Sequence, residues 1–298
     1  MTQFLQATVT GLSLASIYIL LALGFVIIYK SMQVLSFAHP ALTIAGAYLV
    51  SVLATEAGLS FWLAVPLGLV AAGVLGWLSE RVFVRPMVGK PVFAIAILTI
   101  GLDIALRTPV TTLIGLQFRT MGDPWGFATW KWGDVVVQQR SGAMVITAAV
   151  VVMALFAFFR YSRVGLAMRA TAFDQETALA QGINVGRIFS IAWILAGALA
   201  ALAGMFASTA LAGLNQSTWV IALRALPAIV IGGLDSIGGA VLGGLVIGLV
   251  EAYTATYQPQ YASFLGSNFS LVMPYVVMLL VLLVRPYGLF GTEEVERV

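Results

Sequence analysis

Cysteine is absent from this 298-residue chain, histidine occurs once, and charged residues make up only 9% of it. Without cysteine there is no disulfide framework and no thiolate metal site. A single histidine excludes a His-rich zinc cluster. The three lysines sit in YKS, GKP and WKW, and none closes a GxxxxGK[ST] run, so the chain carries no phosphate-binding loop for ATP. Nothing resembles GxSxG, and the clustered carboxylates of a metal-dependent transferase are missing. These absences argue against an enzyme: no catalytic residue, no metal ligand and no cofactor in this chain are expected. The net charge of +3 lies in short loops, not on a stripe or in a tail, which argues against nucleic acid as a partner.

What fills the chain instead is apolar: 61% of residues are hydrophobic. Ser141 to Phe159 run without a charge, and other stretches are nearly as bare. A helix rises about 1.5 Å per residue, so roughly 20 apolar residues cross the ~30 Å core of a bilayer. The expected fold class is therefore all-α, a polytopic transmembrane helical bundle forming one domain over residues 1–298. The apolar runs predict about eight spans, near 8–29, 34–54, 60–79, 92–113, 141–159 and 188–212, then a broken, re-entrant pair at 218–233 and 237–256, then 269–284. The first charge is Lys30, after the first run, which is read as a retained span.

Lysine and arginine stay on the cytoplasmic side of membrane proteins. If the loop with Arg81, Arg85 and Lys90 is inside, then Lys30, Arg160, Arg163, Arg169, Arg187, Arg285 and Arg297 fall inside too, ten of the fifteen cations. Arg119, Lys131 and Arg140 fall outside, and Arg107 and Arg224 fall within the membrane. This predicts an outside N-terminus and a cytoplasmic C-terminal tail, 285–298. The external loop at about 115–140 carries Trp125, Trp130 and Trp132, placed either as an interfacial aromatic belt or to meet an external partner, with Asp123 and Asp134 partly balancing its cations.

Three features stand out along the spans. Gly239 and Gly243, Gly244 and Gly248, and the run AGALAALAG (196–204) repeat the small-residue spacing that lets membrane helices approach closely. The stretch from 220 to 253 is too long for one crossing, and Gly232, Gly233, Asp235 and Ser236 break it; discontinuous helices are where transporters place binding groups. His39 with Pro40 opens the second span, where proline suits a first helical turn. Four ionisable residues lie at membrane depth: Asp103, Arg107, Arg224 and Glu251. Asp103 and Arg107 are four apart and able to pair on one helix face. Arg224 and Glu251 flank the glycine break from opposite arms, either as a structural bridge or as contacts for a zwitterionic solute. His39, Asp103, Arg224, Gly232, Gly233, Asp235 and Glu251 are the candidate solute-pathway residues.

The cytoplasmic segment 160–187 differs in kind: mixed charge, small residues and no long apolar run. Residues 170–180 are expected to form a short amphipathic helix, with Met168, Ala178 and Leu179 on one side and Asp174, Gln175 and Gln181 on the other. Gly182 is placed to end it in the left-handed conformation. The segment is a candidate docking element or a plain connector.

The set SFAHPALTIAGAY (36–48), ERVFVRPMVGKP (80–91), TIGLDIALR (99–107), GLAMRATAFDQETALAQGIN (165–184), ALPAIVIGGLDSIGGAVLGGLVIGLVE (225–251) and RPYGLFG (285–291) resembles the integral-membrane subunits of bacterial branched-chain amino-acid ABC importers, in order and over nearly the full length. The resemblance implies an ABC importer permease fold in the bacterial inner membrane, working by alternating access. Its implied partners are a second homologous permease subunit, two cytoplasmic ATPase subunits and a periplasmic substrate-binding protein. It also implies a coupling segment with a Glu-Ala-Ala-x-x-x-Gly core, matched here by Glu176, Thr177, Ala178 and Gly182, with Thr177 replacing the first alanine. Arg169, Asp174 and Glu176 would then face the ATPase, with Ala178 as the buried contact. Pro40 is a second departure, since relatives carry glycine after the histidine. The cargo stays open among branched-chain amino acids, urea, short amides and small carboxylic acids. An ion-coupled secondary transporter using Asp103 and Glu251 is the rival reading.

Overall fold

The computed structural model describes residues 2–133, 135–210, 213–266 and 268–291, with only the backbone of Trp132. Asp134 and Arg297, and the expected tail beyond Gly291, lie outside the described residues. In chain order the elements are α1 (Thr2–Met32), α2 (His39–Thr55) and α3 (Phe61–Ser79), which runs on through a π-helical turn at Glu80–Val84 and a 3-10 turn at Arg85–Met87. Then come α4 (Val92–Ile114), β1 (Thr129–Trp132), β2 (Val135–Gln138), α5 (Gln139–Tyr161), α6 (Arg163–Phe173), α7 (Gln175–Ala180) and α8 (Val185–Ala210). The chain closes with α9 (Val220–Arg224), α10 (Leu226–Gly232), α11 (Ile237–Tyr261) and α12 (Met273–Val284).

The fold is helical, as expected. The exception among the described residues is the β1–β2 hairpin, antiparallel with Trp130 opposite Val137, inside the predicted external loop. Among the described residues, six helical stretches are long and apolar enough to cross a bilayer: α1, α3 with its continuation, α4, α5, α8 and α11. The remaining apolar helices, α2, α9–α10 and the one around α12, are shorter, so the count does not reproduce eight equal spans. The expected re-entrant pair is also uneven. The first arm is two short helices interrupted at Ala225, whereas α11 has 25 residues, about 37 Å, long enough to cross alone.

The chain divides into two compact units, Met1–Ala22 with Trp125–Val150 and Arg224–Val298, and Leu23–Pro124 with Val151–Leu223. Within the second, α8 is the central post, packed on α2 and α3. The predicted small-residue run does the packing. A Cβ on Gly204 would strike the Thr43 carbonyl, one on Gly197 the Ala72 carbonyl, and one on Gly76 the Trp193 carbonyl. In the first unit the other predicted glycines act the same way: Gly248 abuts Ala15, Gly244 abuts Ile19, and Gly243 abuts the Ala228 carbonyl. The break at Gly232–Ser236 is a tight turn, with Gly233 at φ +100 and Ser236 capping α11 through the Gly239 amide at 3.0 Å.

These contacts separate two kinds of glycine. Gly248→Val is expected to lower the detergent-solubilised protein's melting temperature, because overpacking costs about 1–3 kcal/mol. Gly238→Ala, whose new methyl meets nothing within 4 Å, should raise it slightly, since alanine in a helix is favoured over glycine by roughly 0.5–1 kcal/mol. Thermal unfolding of the two variants, read by tryptophan fluorescence, checks the contrast.

Candidate functional site

The segment expected to couple is two helices, not one. Ser162 caps α6 by accepting from the Gly165 amide at 2.8 Å. Asp174 then ends α6 and caps α7: its Oδ1 accepts from the Glu176 and Thr177 amides at 2.9 and 3.1 Å, and Thr177 Oγ1 donates to Oδ2 at 2.7 Å. An aspartate that takes orphan amides from the next turn is a stop as well as a start, which is why the expected single helix over 170–180 divides here. Gly182 ends α7 at φ +81, as its position predicted. The Ile183 amide returns to the Ala178 carbonyl at 3.0 Å and the Gly182 amide to Leu179 at 2.9 Å, both bonds of the Schellman cap.

Burial corrects the expected faces of this element. Ala178 is only 3% exposed and packs in the chain's own core with Val84, Val185 and Phe189, which anchors α7 internally, and it also lines the groove beside it. Leu179 turns outward instead, and Phe173 is 89% exposed. Leu166, Arg169, Phe173, Asp174, Thr177 and Gln181 line a groove of about 480 Å³ along the two helices. Arg169 and Glu176 are exposed, as expected of rim charges.

Directly behind this element sits a polar knot that sequence reasoning passed over. Glu80, in the π-helical turn, is fully buried. Arg85 reaches both its oxygens, Nε to Oε1 at 2.8 Å and Nη2 to Oε2 at 2.9 Å. The same Nη2 donates to the Gly186 carbonyl at 2.5 Å and to Ser190 Oγ at 2.8 Å, and Ser190 donates to Glu80 Oε2 at 2.8 Å. This fastens the end of α3 to the first two turns of α8, just after α7. The signal available was the five-residue spacing of Glu80 and Arg85, which an α-helix does not pair but a π-turn does.

The solute-pathway candidates divide between the two units. In the second, Asp103 and Arg107 pair on one face of α4 at 2.9 Å, as the spacing predicted. The guanidinium also lies 4.0 Å from the Trp219 ring centroid, so it is held from two sides. His39 opens α2 with Pro40 in the first turn. Its ring is fully buried, 4.3 Å from the Phe25 ring and against Gly24, and neither nitrogen has a hydrogen-bond partner among the described residues. That is an apolar cradle, not a polar pathway lining.

In the first unit, Arg224 and Glu251 do meet across the break, with Nη1 to Oε1 at 3.9 Å. A third residue, missed in the sequence, completes the set: Tyr18 of α1, fully buried, donates to Glu251 Oε2 at 2.5 Å. Gly232 and Gly233 are packing residues. A Cβ on Gly233 would meet the backbone of Gly291, and the Leu289 and Phe290 amides donate to the Ile231 and Gly232 carbonyls at 2.8 and 3.2 Å. The segment 285–291 therefore fills the break from one side, and Asp235 lies in the turn it supports.

The knot makes a sharp expectation. Arg85→Leu strands a buried carboxylate and should cost about 3–5 kcal/mol, while Arg85→Lys keeps the charge and costs less. Adding Glu80→Gln to Arg85→Leu should recover part of the loss in a double-mutant cycle read by thermal unfolding. Additive losses would mean that the two side chains act independently.

Three comparisons bear on what this arrangement belongs to. The model of the family described as branched-chain amino acid transport system / permease component matches residues 7–282. The high-affinity branched-chain amino acid transport system permease protein LivH of Escherichia coli is 32% identical, over 99% of this chain and 98% of its own. BraD of Pseudomonas aeruginosa, named as the corresponding permease protein, is 30% identical over the same shares. Among solved structures, PsaBC from Streptococcus pneumoniae in complex with Fab aligns with a TM-score of 0.47 at 15% identity, over 94% of this chain and 91% of that one. The chain is a multi-pass membrane protein and belongs to the family of permease components of branched-chain amino acid transport systems.

Proposed function

We propose that this chain is the membrane-spanning subunit of an ATP-driven importer that carries branched-chain or related amino acids inward by alternating access. The observation that supports it most directly is the α6–α7 element, taken with the family match over residues 7–282. It is a short helix capped at both ends, anchored inward by Ala178, and it displays Phe173 and a groove outward. An exposed phenylalanine beside rim charges is the anatomy of a protein contact. In this reading a cytoplasmic ATPase subunit covers the groove, and a second such subunit serves a homologous permease. A solute-binding protein delivers cargo at the opposite face. The N-terminus lies outside and the C-terminus inside, in the bacterial inner membrane.

The energetic role of the partner follows from population arithmetic. Moving an equilibrium from 1:99 to 99:1 takes roughly 5.5 kcal/mol of differential binding, and this chain carries no nucleotide site to supply it. Closure of the ATPase pair over α7 provides the difference. The capped helix passes the displacement to Val84 and Phe189 because Ala178 sits among them.

Uptake of labelled leucine by cells carrying the whole set of subunits should need ATP and survive an ionophore that collapses ion gradients; the reverse result would favour an ion-coupled carrier. The double variant Phe173→Asp, Glu176→Arg is expected to insert normally and to abolish uptake, because both changes face outward and neither touches the core. A correctly inserted double variant with normal uptake would remove α6–α7 from the coupling role. Labelled urea, isobutyramide and isobutyrate, tested against leucine in the same cells, separate the cargo classes.

A further inference from the structure

We propose that the groove between α3 and α8 is a binding site for one anionic phospholipid, with an acyl chain lying in the groove and the phosphate held by Arg81 and Arg187. This needs only that the chain spans a membrane, and it holds whatever solute is carried.

Val70, Gly73, Val74 and Trp77 of α3 and Ile194 and Ala198 of α8 line a groove of about 340 Å³ on the second unit. Its lining is apolar throughout, and its α3 wall is exposed at Val70, Val74 and Trp77. Gly73 forms the floor, since a Cβ there would press on the Ile194 side chain at 3.2 Å. Apolar walls gain little by exchanging lipid for another helix, so the lining alone names no occupant. The charged end of the groove does.

Residues at i, i+4, i+7 and i+11 fall on one stripe of a helix. On α3 that stripe runs through Val70, Val74 and Trp77 to Arg81; on α8 it runs back through Ala198, Ile194 and Ile191 to Arg187. The two helices are antiparallel: Gly197 lies against Ala72, Gly76 against Trp193, and Ser190 bonds Glu80. The bond from Arg85 to Gly186 continues that ladder, so Arg81, between Glu80 and Arg85, stands within about a turn of Arg187 at the same end. Both arginines are exposed. Neither guanidinium pairs with a carboxylate among the described residues, whereas Arg85, Arg107 and Arg119 each hold one. Glu80, the acid at that level, is buried and already taken by Arg85 and Ser190.

Length selects a lipid over a protein helix. Val70 and Arg81 are eleven residues apart, about 16 Å of rise and half the ~30 Å hydrocarbon core. A partner's spanning helix would need the full depth. A lipid tail needs one leaflet, with its anionic head at the interface, the level that tryptophans such as Trp77 favour. Basic pockets between helices at that level hold anionic head groups, and guanidinium forks match phosphate oxygens.

Photolabelling of the full-length chain tests this in nanodiscs of dioleoylphosphatidylcholine doped with a phosphatidylglycerol that bears a diazirine at its acyl terminus. Peptide mass spectrometry should find the label on residues 70–77 and 191–198. Excess dioleoylphosphatidylglycerol should displace it, and further dioleoylphosphatidylcholine should not. Arg81→Gln with Arg187→Gln should weaken the phosphatidylglycerol competition about thirtyfold, the attraction of two near-surface arginines for anionic lipid, and leave the melting temperature in lipid-free detergent unchanged. Ala198→Phe, which fills the groove, should remove the label with both arginines in place. Equal displacement by phosphatidylcholine, label spread evenly over exposed faces such as that of α5, or unchanged competition in the double arginine variant would each overturn the proposal. So would an unlabelled groove in a particle holding two copies, which would make this face an interface between chains.

Discussion

Lipid tails are as apolar as leucine, so a helix in a bilayer gains little by exchanging lipid for protein. What holds these helices is closeness, and closeness demands that something be missing from the side chain. At Gly197, Gly204 and Gly76 the missing Cβ lets a backbone carbonyl of the facing helix lie against the glycine Cα, and Gly248 and Gly244 do the same for α1 against α11. The other constraint is that no water waits inside to accept an unpaired backbone group. Together they explain why the chain is helical almost throughout. They also explain why the break at Gly232–Ser236 is filled by the amides of Leu289 and Phe290.

The charged groups obey the same economy, and this makes their differences informative. Glu80 is fully buried and every oxygen is used, with Arg85 and Ser190 closing on it at 2.8–2.9 Å. Arg107 is held by Asp103 and by the Trp219 ring, while Asp103 Oδ1 is buried with no hydrogen-bond partner among the described residues. Glu251 is shared, with the Tyr18 hydroxyl donating to it at 2.5 Å and Arg224 lying 3.9 Å away.

Much of this was legible in the residue order, for identifiable reasons. Patterns that act within one helix could be read directly: the four-residue spacing of Asp103 and Arg107, the small-residue repeats of 196–204 and 239–248, and Gly182 two positions beyond the end of α7. Features that depend on two distant segments meeting were hidden. Tyr18 gives no hint of Glu251, 233 residues away, and Ser190 none of Glu80, 110 residues away. Ala178 touches Val84, Val185 and Phe189 as well as the outer groove, a double position hidden in the sequence, since helical periodicity says which residues share a face and not what covers it. The single helix expected over 170–180 failed for a local reason that was readable. Asp174 with Thr177 three residues on is an N-cap pattern, and it outweighed the helical propensity of the alanines around it.

The proposed coupling element shows how a short helix is made to hold. Six residues do not hold a helix by themselves, because nucleation alone is unfavourable. Here Asp174 takes the amides at one end, the Schellman cap takes the carbonyls at the other, and Ala178 is seated among Val84, Val185 and Phe189. A helix fixed at both ends and along one side has no soft coordinate left, so a push on Phe173 displaces the element as a body. Behind it, Arg85 joins Glu80 of the π-turn to Gly186 and Ser190 of α8, so the displacement reaches α3 and α8 together.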